Sequence, residues 1–132
     1  MLSVRSGQSL HVSSESYAVV TLAGGELPWP ELVSQGCYPL DARTFLAPES
    51  ALMHLPPEAQ LASSGWRRVE VSGSLAHAGL LAAAASALAE VEVPVLVLSR
   101  AQGLWLFVPH QKLGRALAAL RQARLERFAA AP

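Results

Sequence analysis

The chain has 132 residues, of which 52% are hydrophobic and 15% charged, with a formal net charge of zero. That length holds one domain or two small lobes sharing a core, and the composition excludes a disordered chain. A zero net charge supplies no global field to draw nucleic acid or an anionic membrane. Residues 1–65 nevertheless hold two basic against six acidic side chains, and residues 66–132 hold eight against four. Cys37 is the single cysteine, so an intrachain disulfide is impossible and a reducing, cytoplasmic setting is expected.

The first sixteen residues, MLSVRSGQSLHVSSES, lack the apolar run of a signal peptide and are expected to form a weakly ordered leader. Tyr17 to Leu22 (YAVVTL) has the composition of a strand, ended by Ala23-Gly24-Gly25. Leu27-Pro28-Trp29-Pro30 is regular in neither direction, but Pro30 is suited to the first position of a short helical turn through Val33. Gly36 to Asp41 reads as turn, Thr44 to Leu46 as a short strand, and Ser50 to Leu55 as another strand before Pro56-Pro57. A small loop over Ala62 to Gly65 is expected to lead into Trp66 to Val71, an alternating strand with Trp66, Arg68 and Glu70 on one side.

The run from Leu75 to Ala89 is too short to span a bilayer. Within it and just beyond, Leu81, Ala84, Ala85 and Leu88 at i, i+3, i+4 and i+7 predict a helix with one apolar face. Val93 to Leu98 then predicts a strand, Ser99 to Gly103 a turn, and Leu104 to Val108 a returning strand, together an antiparallel hairpin. Both hairpin strands are apolar on alternate faces, so both faces must be covered, the second by an N-terminal lobe or another subunit. His110 to Gln122 predicts a helix with the stripe Leu113, Ala116, Leu117 and Leu120. Beyond Gln122 the helix either runs on to Phe128 or gives way to a strand near Arg124 to Phe128. From Trp66 onward the order is strand, helix, strand, strand, helix and possibly strand. That is an α+β, ferredoxin-like βαββαβ arrangement with both helices on one sheet face.

Trp66-Arg-Arg-Val-Glu-Val, Gly79-Leu80-Leu81-Ala82, Val93-Pro94-Val95, Leu98-Ser99, Trp105-Leu-Phe-Val108 and the Leu113…Leu120 stripe resemble the ACT module. The pattern is similar to that of small bacterial proteins pairing an ACT domain with a smaller, β-rich, ACT-like N-terminal lobe, relatives of the tandem-ACT arginine sensors of animal cells. Tyr17 to Leu22, Leu27-Pro28, Arg43-Thr44 and Glu49 to Leu52 carry the resemblance into the N-terminal half. It implies a leader over residues 1–16, an N-terminal lobe over 17–65 and an ACT domain over 66–130.

The resemblance further implies a non-enzymatic regulatory protein that binds an amino acid or related metabolite at a lobe or subunit interface, with a homodimer as the expected assembly. Carried over, the ligand contacts are Ala78, Gly79 and Leu80, then Pro94 and Val95, then Ser99 and Arg100. Exposed amides at a helix start suit a carboxylate, and Gly79 permits close approach of backbone. Leu104 stands where the family's turn carries an aspartate, and Arg100 and Ala101 replace a threonine and an aromatic. Arg100 points to a more acidic ligand; the alternative is an interaction module that keeps the fold without the ligand.

Chemistry of other kinds has no visible carrier. The four histidines, His11, His54, His77 and His110, are scattered without ligand spacing, so no metal or other cofactor is expected. Asp41 is the only aspartate and Lys112 the only lysine; no strand–elbow–helix nucleophile, dinucleotide fingerprint or P-loop is present, and no enzyme is expected. Arg115, Arg121, Arg124 and Arg127 form a basic series, but Trp105 and Phe107 sit among Leu and Val rather than on a basic exposed sheet. Neither nucleic acid nor membrane is an expected partner.

Overall fold

The structure, a computed structural model, describes residues 10–24, 27–73 and 79–125. The chain forms two compact units, one of Glu15–Trp66 and one of Met1–Ser14 with Arg67–Pro132; they are called the N-terminal and C-terminal units below. In chain order the elements are β1 (Leu10–Thr21), α1 (Trp29–Ser34), β2 (Tyr38–Pro39), β3 (Thr44–Pro48), a 3-10 helix (Glu49–His54), β4 (Gln60–Ser72), α2 (Gly79–Glu90), β5 (Leu96–Arg100), β6 (Gly103–Pro109), a 3-10 turn (His110–Lys112) and α3 (Leu113–Gln122). Strands β1 and β4 each begin in one unit and end in the other.

In the C-terminal unit the strand order is β1-β4-β6-β5, with β1 contributing its first residues. Leu10 and Val12 pack against the unit's core, so strand begins inside the stretch expected to be a weakly ordered leader. Their side chains have the period of two that a half-buried strand needs, amid serines that mask it. Arg67 Nη2 donates to the Ser13 carbonyl at 2.8 Å, tying the edge strand down. The core joins Val69, Val71, Leu104, Leu106 and Val108 of the sheet to Leu80, Ala84 and Leu88 of α2 and Ala116 and Leu120 of α3.

The buried ridge of α2 is Leu80, Ala84 and Leu88, at i, i+4 and i+8, and Leu81 is 42% exposed. The expected face is thus rotated by about one residue. In a helix so rich in alanine, small side chains mark no face, and two adjacent leucines compete for the core. α2 ends in a Schellman motif: Val93 N–H donates to Leu88 O (3.0 Å), Glu92 N–H donates to Ala89 O (3.0 Å), and Glu92 takes φ 57°. Strand β5 accordingly starts at Leu96, later than the expected Val93, whose side chain is buried in the core.

β5 and β6 pair antiparallel from Leu96↔Phe107 to Arg100↔Gly103, so only Ala101 and Gln102 are left in the turn. Gly103 is required here. It has φ 154°, and a Cβ on it would lie 2.1 Å from the Val71 carbonyl oxygen. After α3, Arg124 takes φ 55° and Leu125 is buried, so the helix does not run on. The expected final strand near Arg124 to Phe128 falls, from residue 126 on, outside the described residues.

In the N-terminal unit the order is β2-β3-β1-β4. β1 pairs antiparallel with β3 from Tyr17↔Pro48 to Thr21↔Thr44, and β2 pairs with β3 at Tyr38↔Leu46 and Pro39↔Phe45. α1 begins one residue earlier than expected, at Trp29, so Pro30 takes the second helical position, where its missing N–H is still one of the unbonded donors of the first turn. The core holds Ala18, Val20, Leu22, Leu27, Leu32, Cys37, Phe45 and Ala47, with Trp29 edge-on to Phe45 at 5.9 Å and 81°.

Two expectations fail in this unit. Ser50 to Leu55 is not a strand: Ser50 to His54 lie in the 3-10 helix Glu49–His54, where only Ala51 is buried and Met53 is 82% exposed, and Leu55 follows it with extended backbone. Pro48 and Pro56 bracket it, and each proline lacks the N–H that a strand ladder needs. Ala62 to Gly65 is not a loop but the first half of β4. Gly65 takes φ 77°, and its N–H donates to Glu49 Oε2 at 3.0 Å, so a glycine of unusual backbone sits within the strand.

Candidate functional site

Alternation along the strands of the C-terminal unit sends one set of side chains to the helices and the other to the outward face. On β4, Val69 and Val71 go inward, while Arg68 and Glu70 go outward and pair, Arg68 Nε lying 2.9 Å from Glu70 Oε2. On β6, Leu104, Leu106 and Val108 join the helix-side core. Trp105 faces outward between β4 and β5. Register puts Leu98 opposite Trp105 and Arg100 opposite Gly103, on this same outward face.

The outward face is therefore not the plain apolar surface that the hairpin predicts. The Arg68 guanidinium carbon lies 4.2 Å from the Trp105 ring centroid, and that of Arg100 lies 4.5 Å from it. A guanidinium so placed is attracted by the indole quadrupole, by about 0.5–2 kcal/mol depending on desolvation. Beside this group is a cleft of about 200 Å³ lined by Glu70, Ser72, Arg100, Gln102 and Trp105, with backbone at Val71 and Gly103. Its rim is fixed: Gly73 N–H donates to the Gln102 carbonyl at 3.1 Å, tying the hairpin turn to the end of β4.

The residues singled out by the sequence fall into separate places. Ala78 lies outside the described residues. Gly79 and Leu80 start α2, and Leu80, 2% exposed, has its side chain in the core and only backbone to offer a ligand. Ser99 and Arg100 end β5 next to the turn that meets β4, but they point to opposite sides of the sheet. Ser99 shares the helix side with Leu104, and Arg100 shares the outward side with Trp105.

Pro94 and Val95 lie before β5, beside the carboxyl end of α2 rather than its start. At that end Lys112 Nζ donates to Glu92 O (3.2 Å) and Arg115 Nη1 donates to Val91 O (3.3 Å), two cations placed where the helix end is negative. Leu104, in the place of the turn aspartate, is 1% exposed and belongs to the core.

A second hollow, of about 680 Å³, runs between α2 and α3 and is lined mainly by small residues such as Ala82, Ala83, Ala87 and Ala119. In the N-terminal unit an apolar hollow of about 300 Å³ is lined by Val20, Leu52, Leu55, Ala59 and Leu61 with Pro56 and Pro57. Among the described residues, no three His, Cys, Asp or Glu side chains gather as metal ligands, and no helix is long and apolar enough to cross a membrane.

Trp105, Arg68, Glu70 and Gln102 were not marked as site residues by the sequence. The signal was present in part, since alternation puts Arg68 and Glu70 on one side of β4. Bringing them to Trp105 requires that β6, and not β5, lie next to β4.

Comparison with known proteins agrees with this architecture. Residues 61–122 match the model of the ACT domain. No curated protein matches the chain. Among solved structures, a Vibrio cholerae protein of unknown function, described as a possible transport protein, has a TM-score of 0.68 at 18% identity over 89% of this chain and 91% of its own. The ligand-free regulatory subunit of aspartate kinase from Thermus thermophilus has a TM-score of 0.66 at 15% identity, over 86% and 95%. An Agrobacterium tumefaciens protein has a TM-score of 0.60 at 18% identity, over 86% and 87%. At such identities these likenesses speak for the fold. With the helix-backed antiparallel sheet of β4, β6 and β5 and the family match across it, residues 61–122 have the fold of an ACT domain.

Proposed function

We propose that this protein is a non-enzymatic, cytoplasmic regulator that binds an amino acid or related small metabolite through its ACT domain and works as a homodimer. The observation that carries the reading is the family match over residues 61–122 on a sheet whose strand ends hold a polar cleft rather than continuous core. The regulatory subunit of aspartate kinase, a protein of similar fold, supports it by analogy of architecture. The N-terminal unit is read as a reduced copy of the same module. Its strand order, β2-β3-β1-β4, repeats the order β5-β6-β4-β1 of the C-terminal unit, element for element.

One observation favours a second reading, an interaction module that has lost its ligand. Leu104 is packed into the core, so this position offers no charge to a ligand ammonium. A thermal-shift panel of the common amino acids and small organic acids, with mass measured in solution, separates the two. A ligand that binds only the native state adds about 2.7 kcal/mol when present at about a hundred times its dissociation constant. A folded protein whose melting temperature no compound changes would be the interaction module.

A further inference from the structure

Strand β3 holds in the N-terminal unit the place that β6 holds in the C-terminal unit, second from the sheet edge. β6 leads through its 3-10 turn into α3, of 10 residues. β3 leads only into the 3-10 helix Glu49–His54, of 6 residues, then to extended backbone at Leu55 and to Pro56-Pro57. Beside this short cover is the apolar hollow of about 300 Å³, where Leu52, Leu55 and Leu61 line the space together with Val20 of β1. Leu61 is 57% exposed, and Met53, next to Leu52, is 82% exposed. The wall is preformed. Leu55 N–H donates to Leu52 O (3.2 Å), Ala59 N–H donates to Pro56 O (3.0 Å), and each proline fixes its own φ, so docking here orders little backbone.

Two features say what kind of occupant fits. None of the side chains lining the hollow is polar, so nothing in it orients a small metabolite, whose sites carry a few placed polar groups. The rim, in contrast, carries charge of one sign. Glu58 is exposed between Pro57 and Ala59, both part of the lining. It belongs to a unit with one basic side chain, Arg43, against six acidic ones. The Arg43 guanidinium donates to the Gly24 carbonyl at 3.1 Å.

We propose that this hollow docks another protein, taking one or two of its apolar side chains, with a lysine or arginine beside them facing Glu58. Burial of the apolar side chains supplies the affinity. Glu58, at the solvent-exposed rim, supplies choice of partner more than strength. A segment with carboxylates beside its apolar residues is repelled by the acidic unit. This surface goes beyond the readings above and stands whether or not a metabolite binds the other unit.

The test titrates the intact, isotope-labelled chain with acetylated, amidated tetrapeptides and follows the backbone amides by NMR. The probes are Lys-Leu-Phe-Lys, Lys-Ala-Ala-Lys and Glu-Leu-Phe-Glu, with indole as an uncharged apolar molecule. Lys-Leu-Phe-Lys is expected to shift the amides of Leu52, Leu55 and Leu61 saturably, and Lys-Ala-Ala-Lys to bind at least ten-fold more weakly. Glu-Leu-Phe-Glu is expected to be weaker by about two- to five-fold, the size of an exposed ion pair. Glu58→Gln is expected to narrow that charge preference while keeping the preference over Lys-Ala-Ala-Lys. Leu61→Ser, at an exposed position, is expected to weaken Lys-Leu-Phe-Lys with an unchanged urea midpoint. Shifts that do not saturate, or peptides that bind wild type and Leu61→Ser alike, would overturn the docking site. Indole binding as tightly as Lys-Leu-Phe-Lys would overturn it in favour of a small-molecule pocket. A dimer that Leu61→Ser dissociates in sedimentation would overturn it by giving the hollow to a second copy of this chain.

Discussion

The two units run through the same order of strands but complete it with different helices. The C-terminal unit lays α2, of 12 residues, and α3, of 10, over its sheet. The N-terminal unit has α1, of 6, and a 3-10 helix of 6 in the corresponding places. Three large side chains of the 3-10 helix, Leu52, Met53 and His54, stay partly or wholly exposed, whereas α2 drives Leu80 and Leu88 fully into core. A strand order can thus be kept while the helical layer shrinks to the few contacts a short sheet needs. The polar cleft is found on the unit with the full layer, where β4, β6 and the hairpin turn are held to one another.

The comparison predicts where the molecule breaks. Gly103→Ala is expected to have the largest effect, about 4 kcal/mol or loss of the fold, because backbone lies where the new Cβ must go; urea denaturation of the purified variant measures it. Leu88→Ala, at a site with no exposed surface, is expected to cost about 3 kcal/mol. Leu52→Ala, in the 3-10 helix and only partly buried, is expected to cost about 1 kcal/mol or less. Equal losses from the two would mean that the 3-10 helix supports its unit as fully as α2 does.

Smaller changes sharpen the same contrast. Glu92→Gly places the residue best suited to φ 57° at the end of α2 and is expected to raise stability by about 0.5 kcal/mol, seen as a higher urea midpoint. In the N-terminal unit the Asp41 carboxylate accepts from the Arg43 and Thr44 amides, each at 2.8 Å. The Arg43 amide bond is the main cause that holds its pKa below the ordinary 3.8. The native state then binds this proton less readily than the unfolded chain. Its contribution is complete above pH 3.8 and fades as pH falls through the lower native value. Asp41→Asn removes that acid limb, so the stability difference between wild type and variant should shrink below about pH 4, as read by denaturation at a series of pH values.

Much of the C-terminal unit was legible in the sequence. Val69 and Val71 against Arg68 and Glu70 declare a strand, and two short apolar runs about a tight turn declare the hairpin. The face of α2 was not legible, because alanine at most positions leaves the period without contrast. In the N-terminal unit Ser-Ala-Leu-Met-His-Leu has strand-like composition, yet flanking prolines and the lack of a partner strand decide for a 3-10 helix. Trp105 was read as covered surface, and its two arginines come from strands far apart in sequence. Only the order β4-β6-β5 puts them on either side of it. Among the candidate ligand residues, Ser99 and Arg100 are neighbours in sequence but part at the pleat, which a resemblance by position does not register.

The edge strand of the C-terminal unit comes from residues made long before the rest of it. Ser13 accepts from Arg67, 54 positions later, and the core that covers Leu10 and Val12 is not whole until α3 has been synthesised. On the ribosome these first strand residues wait through most of translation before their unit closes. Such non-local pairing slows folding, since a long loop must close before any contact rewards it. The serines and the exposed His11 interleaved with Leu10 and Val12 keep this waiting strand from being a continuous apolar segment, the kind that draws other chains into aggregates.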